Sequence, residues 1–455
     1  MSAALTKVKN NKQFIISAVN VAWPAILESF FVALVAMVDS FMVSMLGAYA
    51  VAAVGLTTQP KFICLALFIA INTAVSALVA RRKGQGERES TNRILITAII
   101  CVVVGVIVVS AIAVIFANPI IRWVGSEPDT HDSAVAYFRI IIGFTIFNVI
   151  SLVINAAQRG SGNTKIAMKT NLTSNIVNVI FNYLLIHGNF GFPALGIRGA
   201  AIATVLGTVV ACGMSIASLF DKDSYVSVPY MLEKKLFATR RALKDIASFA
   251  SNVCVEQLMF RFGFLISATL AANLGTEALA AHQVGMNVMH LSFAFGDGLQ
   301  VAAVTLIGQS LGQGDASLAK KYGNICQAMG LAISVALSAL YLLLGRYFFG
   351  LYFPNDPQIV EIGIMIMRFM VIIVLCQVSQ VIFMGSLRGA GDVRFTTIAS
   401  MLSVAIIRPS ISYLAAYVFN LGIAGIWIGT ITDQFTRLVL TGVRFRSGKW
   451  MNKKI

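Results

Sequence analysis

Charged side chains are scarce in this sequence. They make up 12% of the 455 residues, against about 25% in soluble proteins. Acidic residues are the rarer sign, with 19 Asp and Glu against 35 Lys and Arg. Apolar residues make up 58%, which is more apolar surface than so few charges could cover in a soluble core. The composition therefore excludes a soluble globular protein and indicates an integral membrane protein.

Paired cysteines and the common catalytic motifs are also missing. The six cysteines stand singly in apolar stretches, with no CxxC pair, so no disulfide framework is predicted. The four histidines form no HExxH or other metal-ligand spacing, and no Walker motif or nucleophile elbow is evident. We therefore predict no enzyme activity, no cofactor, no metal, and neither a fused nor a required ATPase.

The long apolar runs point to membrane helices. A run such as 94–117 is continuous, whereas the strands of a membrane barrel alternate polar and apolar residues. The predicted fold class is all-α, with twelve transmembrane helices. They lie near residues 14–45, 51–79, 94–118, 134–157, 167–187, 196–219, 245–272, 278–310, 322–345, 359–385, 395–418 and 423–443.

Positive charges are distributed unevenly between the predicted loops. If the N-terminus is cytoplasmic, the cytoplasmic segments hold 26 of the 35 Lys and Arg, the outer loops hold three, and six fall within spans. This bias predicts a multi-pass protein with both termini in the cytoplasm. It also accounts for the net charge of +16 without nucleic acid, because the basic residues lie between apolar runs and form no single basic face.

The two halves of the chain repeat each other. Four short motifs recur in the same order at offsets of 226 to 229 residues, among them 84–87 with 312–315 and 159–163 with 388–392. Each half holds six spans, so the repeats are parallel, which is a transporter architecture. We predict two six-helix bundles, 1–220 and 245–455, joined by a basic cytoplasmic linker, 221–244. No large soluble oligomerisation domain is visible, and a monomer is predicted.

Several motifs resemble those of one transporter family. They are Pro24 in the first span, Asp39-Ser40-Phe41-Met42-Val43 before Leu46-Gly47, Gln158-Arg159-Gly160-Ser161-Gly162-Asn163-Thr164, and Leu387-Arg388-Gly389-Ala390-Gly391-Asp392. In this order, the sequence resembles the multidrug and toxic compound extrusion (MATE) family over essentially its whole length, near the DinF-type or a NorM-like branch. The resemblance implies a V-shaped pair of bundles in a bacterial or archaeal cell (inner) membrane. It also implies cation-coupled export of amphipathic, often cationic, organic compounds by alternating access.

Polar residues in the first half mark a candidate site. A charge at membrane depth costs at least about 2.5–3.5 kcal/mol on insertion scales. Asp39 and Glu28 are eleven residues apart, which returns them to nearly the same helix face. Asn171, Asn175, Asn178 and Asn182 share one face of span 5. Either set could be structural, the carboxylates as ion pairs and the amides as interhelical contacts; alternatively the amides form a polar wall that faces Asp39.

The resemblance assigns roles to some of these positions. In archaeal and DinF-type members, an Asp of span 1 works with an Asn and an Asp of span 5. Asn178 matches that Asn, Thr204 of span 6 belongs to the same set, and Asn182 stands where the second Asp would be. This departure leaves Asp39 as the only acid in the outer half of the bundle. Ion coupling is predicted to involve Asp39, Asn178, Asn182 and Thr204.

The second half carries a further candidate. In NorM-type members, a second-half Glu and a tenth-span Asp carry cation coupling. Glu256 matches that Glu, whereas Gln377 occupies the Asp position, so the set is incomplete. Asp39 itself maps onto Ser267. Glu256 is retained as a second ion-coupling candidate.

Substrate contact is predicted for a polar and apolar mixture of side chains. Lys61 either pairs with Asp39 or Glu28 or lies in the substrate path. In span 8, His282, Met286, Met289, His290, Phe293, Asp297 and Gln300 fall on one broad face, which is either plain core or a partly wet cavity suited to drugs. Among the arginines within spans, Arg437 is predicted to pair with Asp433, four residues away. The predicted substrate-contact residues are Glu28, Lys61, Asn175, His282, Met286, Met289 and Phe293.

These observations favour a secondary antiporter that exports a small organic, amphipathic compound across the lipid bilayer in exchange for inward cations, with protons preferred. Sodium coupling stays open. A flippase for a lipid-linked precursor is a further alternative, in which Lys61 and the arginines within spans would meet phosphate. A non-transporting receptor would not need the repeat.

Overall fold

The computed structural model describes residues 2–221, 224–352 and 356–453, and within these ranges every regular element is a helix. Lys222 and Lys454, two of the positive charges assigned to the cytoplasm, lie outside the described residues. The helices are long because apolar runs of 20 or more residues satisfy their backbone hydrogen bonds internally, as a membrane requires.

The first six predicted spans all appear as helices. The fourth span is two helices, α5 and α6, which meet at Phe144 with a bend of 45°. Two short helices lie outside the spans, α4 before α5 and α9 after α8. The bounds are α1 Ser2–Ser44, α2 Ala48–Gly84, α3 Arg88–Ile115, α4 Ala117–Trp123, α5 Pro128–Gly143, α6 Thr145–Gly160, α7 Thr164–His187, α8 Ile197–Ala217 and α9 Val228–Glu233.

The second six spans appear as well. The eleventh contains two stretches of π-helix, Met401–Ile407 and Leu414–Val418. The sequence did not predict these wider turns, which interrupt the span on either side of Pro409, a residue without a backbone N–H. The bounds are α10 Arg240–Ala272, α11 Thr276–Gly312, α12 Ala316–Tyr352, α13 Pro357–Gly389, α14 Val393–Ser400, α15 Arg408–Tyr413 and α16 Ile423–Arg446.

Hydropathy alone marks fewer spans than the helices show. Within the described residues, nine helices are long and apolar enough to cross a membrane, or ten when α5 and α6 count as one. Two long helices, α7 and α16, are not among them. Both carry polar side chains at buried positions, Asn178 and Asn182 in α7 and Asp433 and Arg437 in α16. The helix order confirms the predicted all-α membrane fold with twelve spans.

The chain divides into two compact units. One comprises Met1–Ser29 with Val255–Ile455 and is called here the C-terminal unit; the other, Phe30–Cys254, is called the N-terminal unit. This division counts packing, whereas the predicted bundles 1–220 and 245–455 and their linker follow the sequence repeat, and those boundaries stay a prediction. The first part of α1 packs in the C-terminal unit, where Ala18 and Ala22 are fully buried in its core.

Small residues allow close helix packing in both units. A Cβ on Gly199 would lie 2.4 Å from Leu185 O, and one on Gly207 would lie 2.7 Å from Ser174 O. These two glycines of α8, eight residues apart, therefore bring α8 against α7. In the C-terminal unit, Gly425 of α16 approaches the backbone of Ala416 in the same way.

Candidate functional site

The N-terminal unit brings Asp39 of α1 together with Asn182 of α7. Asn182 Nδ2 donates a hydrogen bond of 2.7 Å to Asp39 Oδ1. Asn182 is 1% exposed, while Asp39 is half-buried. The Oδ1 of Asn182 is buried and accepts no hydrogen bond within the described residues. The amide therefore turns its nitrogen toward the carboxylate and leaves its oxygen without a donor.

Asn178, one turn earlier in α7, contacts the same carboxylate. The surrounding donors and acceptors determine which end of the Asn178 amide is the nitrogen. In the orientation that satisfies them, Nδ2 lies 2.7 Å from Asp39 Oδ1 and 3.1 Å from Oδ2. In this orientation the amide oxygen accepts from the hydroxyl and the backbone N–H of Thr204, both at 3.2 Å. Asp39, Asn178, Asn182 and Thr204, called the Asp39 site below, are thus in one hydrogen-bonded group.

Close packing of α7 on α8 holds this group together. Gly207 lies three residues after Thr204, and its missing side chain leaves room for Ser174 and for the Cβ of Asn178, which a Cβ on Gly207 would approach to 3.2 Å. Thr204 also lies close to its own helix: its hydroxyl is 3.0 Å from Ala200 O, and its single proton is donated either to that carbonyl or to the Asn178 oxygen, which the Thr204 backbone N–H binds in both cases. The two asparagines are four residues apart and therefore project from one face of α7.

Two further polar side chains lie near Asp39. Lys61 of α2 makes no direct ion pair with Asp39 in the described chain, but its charge acts on the carboxylate through space. Its Nζ lies 5.7 Å from the ring centroid of Phe62. The charge of Asp39 also acts on Tyr137 of α5, which is 8% exposed. Tyr137 was not predicted, because a tyrosine in an apolar span is most often ordinary core.

Two predicted residues stand apart from this group. Glu28 is 8% exposed and belongs to the C-terminal unit. Asn175 is half-buried on α7, one turn before Asn178, and its buried Nδ2 donates no hydrogen bond within the described residues. Their predicted contacts with substrate stay predictions.

In the C-terminal unit, Glu256 of α10 is fully buried in an ion pair. Arg388 Nη2 of α13 donates to its Oε2 at 2.7 Å, and Ser400 Oγ of α14 donates to its Oε1 at 2.5 Å. Arg388, predicted just beyond the cytoplasmic end of its span, is the next-to-last residue of α13 and is 7% exposed. Both Glu256 oxygens are therefore engaged by side chains that tie three helices together.

A second buried cluster surrounds Asp433 of α16. Arg437 donates to both of its carboxylate oxygens, at 3.0 Å from Nε and 2.9 Å from Nη2, which confirms the predicted pair. Arg408 Nη1 lies 3.8 Å away, and Ser403 donates to the same carboxylate. Gln377, at the position of the NorM-type Asp, is fully buried, and its Nε2 donates to Met289 O at 3.5 Å.

The predicted face of span 8 is split between core and cavity. His282 and Met289 are 2% and 0% exposed, and the His282 ring lies 5.4 Å from that of Trp427. Phe293, with His290, Asp297 and Gln300, lines a cavity instead. Helix angle does not separate the two groups, because Gln300 returns to the angle of His282 at about 100° per residue. The cavity residues instead come from the later turns of α11, from His290 onward. Met286 packs half-buried against the core.

The comparisons with known proteins agree with this architecture. The sequence profile of the MatE family matches residues 24–184 and 253–414. A Thermotoga maritima protein described as "Probable multidrug resistance protein NorM" is 27% identical over 440 residues, which is 96% of this chain and 93% of that protein. The "Uncharacterized transporter YisQ" of Bacillus subtilis is 25% identical over 98% of both chains.

Solved structures show the same fold. The outward-facing conformation of a multidrug resistance MATE family transporter of the MOP superfamily superimposes with a TM-score of 0.89, at 20% identity, over 96% of this chain and 97% of that one. A crystal structure of a MATE protein in complex with MaL6 gives the same TM-score and coverage. The family profile matches one segment in each half of the chain. The chain therefore belongs to the MatE family of multi-pass membrane transporters and is NorM-like.

Proposed function

We propose that this protein is a secondary antiporter that exports amphipathic, typically cationic, organic compounds in exchange for inward protons, by alternating access. It would act as a monomer in a bacterial or archaeal cell (inner) membrane with both termini in the cytoplasm. It would draw on the ion gradient alone, with no cofactor and no ATPase. Multidrug resistance in the names of its NorM relatives supports an organic drug as the exported compound.

The Asp39 site is the observation that carries this proposal. A carboxylate in a membrane helix is costly, and such residues mark ion pathways more often than structure. Here two amides of α7 donate to it, at 2.7 Å from each nitrogen to Oδ1. An amide can also accept a hydrogen bond through its oxygen. When Asp39 takes up a proton, rotation of the Asn182 amide would present its unused Oδ1 to the new acid O–H.

The orientation of the amides favours protons over sodium. A hard cation needs several oxygen ligands that converge on it. Asn178 and Asn182 instead direct their nitrogens at Asp39, and the Asn178 oxygen is taken by Thr204. The two N–H donors stabilise the ionised carboxylate and leave few oxygens for a metal ion, whereas a proton can be accommodated when one amide turns its oxygen toward Asp39. Sodium coupling would require both amides to turn.

Exchange follows when a proton and a cationic compound compete for one charge. The cation is held while Asp39 is ionised, and protonation removes the charge that attracts it. The positive charge of Lys61 also interacts with Asp39, so it competes with a bound cation for the negative charge of the carboxylate. Protons entering down their gradient would therefore displace the compound on the outer side.

Transport in sealed vesicles tests the proposal. Purified protein is reconstituted with a fluorescent cationic dye, and either a pH gradient or a Na⁺ gradient is imposed. We expect uphill dye movement driven by the pH gradient and none by Na⁺ alone. Dye movement with Na⁺ only would overturn proton coupling, and movement of a lipid-linked phosphate precursor without any dye transport would favour the flippase.

A further inference from the structure

A cavity of about 240 Å³ lies within the C-terminal unit, between α10, α11, α13 and α16. It is separate from the Asp39 site, which belongs to the other unit. Its walls carry three arginines, Arg261, Arg388 and Arg437, and one acid that faces it, Asp297. This is an unusual concentration of positive charge for a transporter expected to carry cations.

The carboxylates of the region do not balance its guanidinium groups. Arg388 pairs with Glu256 at 2.7 Å, and Arg437 pairs with Asp433 at 2.9 Å. Arg408 shares that same Asp433 at a longer 3.8 Å. With Arg261 and Asp297, the cavity and its ion-paired neighbours hold four guanidinium groups against three carboxylates.

Arg408 shows that the excess charge is poorly compensated. Its side chain is 0% exposed, and none of its three guanidinium nitrogens donates a hydrogen bond within the described residues. The buried Nε of Arg388, on the cavity wall, likewise donates none. Buried charges without full partners are costly, and a second anion would relieve that cost.

Aromatic rings provide the apolar part of the cavity. Phe260, Phe264 and Phe293 line it. Phe260 and Phe264 are stacked with centroids 6.4 Å apart, and each carries a guanidinium group near its ring, Arg437 at 5.2 Å and Arg408 at 4.6 Å. Flat aromatic surface beside guanidinium groups suits a planar ring with a carboxylate attached. The volume is below the roughly 300–1,000 Å³ of drug-sized pockets, so one or two fused rings would fill it.

We propose that this cavity is a binding site for a small aromatic monocarboxylate, whose ring lies against the phenylalanines and whose carboxylate is held by Arg261 on the cavity wall. The three arginines on its wall favour a ligand that carries one carboxylate. Asp297 faces the same space and repels further negative charge. The inference goes beyond the proposed function and does not depend on it, because it concerns the other unit and a ligand of opposite charge.

Calorimetry on the purified full-length protein in detergent tests this site with 2-naphthoate and its neutral counterpart 2-naphthamide. Since a charge-assisted hydrogen bond contributes about 1.5–3 kcal/mol, naphthoate should bind at least about tenfold more tightly than naphthamide. Arg261→Gln should weaken naphthoate binding about tenfold and leave naphthamide unchanged. Asp297→Asn should strengthen naphthoate binding. The control is Arg394→Gln, an exposed arginine of α14, which should change neither.

Equal affinity for naphthoate and naphthamide would overturn the site. So would Asp297→Asn variants that bind naphthoate no more tightly than the unaltered protein, a result that stands even if Arg261→Gln fails to fold. Equal losses in Arg261→Gln and Arg394→Gln would reduce the effect to general surface charge and also contradict the proposal. If naphthoate does not bind while dye export driven by protons persists, this inference fails and the proposed function does not.

Discussion

Asn182 Nδ2 donates a 2.7 Å hydrogen bond to Asp39 Oδ1 and joins α7 to α1 across 143 residues of chain. The donor is an amide whose own oxygen accepts nothing in the described structure. An amide with one half engaged and one half unused can serve either protonation state of its partner. This pair is therefore the element on which the coupling mechanism depends.

Asn182 variants test the amide directly. In Asn182→Asp, two adjacent carboxylates would share a proton, so a polar contact to Asp39 survives and proton-driven export should persist at a reduced rate. In Asn182→Leu, the 2.7 Å donor is lost, and export should fall much further. Initial rates of dye export in vesicles compare the two. Equal rates in both variants would show that the amide has no part in coupling.

The glycine of α8 tests how the site is assembled. A Cβ on Gly207 would meet Ser174 O at 2.7 Å, so Gly207→Ala should separate α7 from α8, cost about 1–3 kcal/mol, and slow transport. Gly213 of the same helix has nothing within 4 Å of the added Cβ. Its change to Ala should instead stabilise the helix by about 0.5–1 kcal/mol. Thermal unfolding measures both, and a destabilised Gly213→Ala would undermine the packing argument.

Glu256 is expected to act through structure more than through ion binding. It is fully buried against Arg388, and Glu256→Gln leaves that arginine without its counter-charge, a loss of about 3–5 kcal/mol. The double variant Glu256→Gln with Arg388→Gln should recover part of this stability. Proton-driven export should be weakened in Glu256→Gln but not abolished. If Glu256→Gln protein keeps its thermal stability but loses proton-driven export completely, the main coupling site lies in the C-terminal unit instead.

The topology is open to labelling in intact cells. Cysteine at Glu127, which precedes α5, should react with an impermeant maleimide from outside, because it lies in a predicted outer loop. Cysteine at Glu233, the last residue of α9, should react only after permeabilisation. Both positions are exposed, and the unaltered protein, whose six cysteines are buried or half-buried, gives the background. The reverse pattern would contradict the assignment of both termini to the cytoplasm.

The sequence predicted what depends on local pattern. Apolar runs predicted twelve spans, although α7 and α16 are less apolar than the others, and i, i+4 spacing placed Asn178 and Asn182 on one face. That face does meet Asp39, as the alternative of a polar wall anticipated. The Arg437–Asp433 pair was likewise local and is confirmed.

The parts that escaped prediction depend on contacts between distant segments. Hydropathy could not show that Arg388, in the last turn of α13, is buried in an ion pair with Glu256, 132 residues away. Tyr137 and Ser400 acquire importance only from their neighbours. The π-helical turns of the eleventh span lie on either side of Pro409, but a proline in the sequence does not by itself specify turns of this kind. The close approach of α7 to α8 could have been predicted from the sequence, because Gly199 and Gly207 are eight residues apart on α8.

Dye export by Asp39→Asn protein is the most direct test of the account. The amide keeps the shape of the side chain and is cheaper in a membrane than a charge, so the variant should fold, insert and bind lipid normally. In vesicles with an imposed pH gradient it should export no dye uphill. The matched control, Asp129→Asn on the exposed start of α5, should export dye at the normal rate. Uphill export by Asp39→Asn at that same rate would contradict the assignment of Asp39 as the coupling carboxylate.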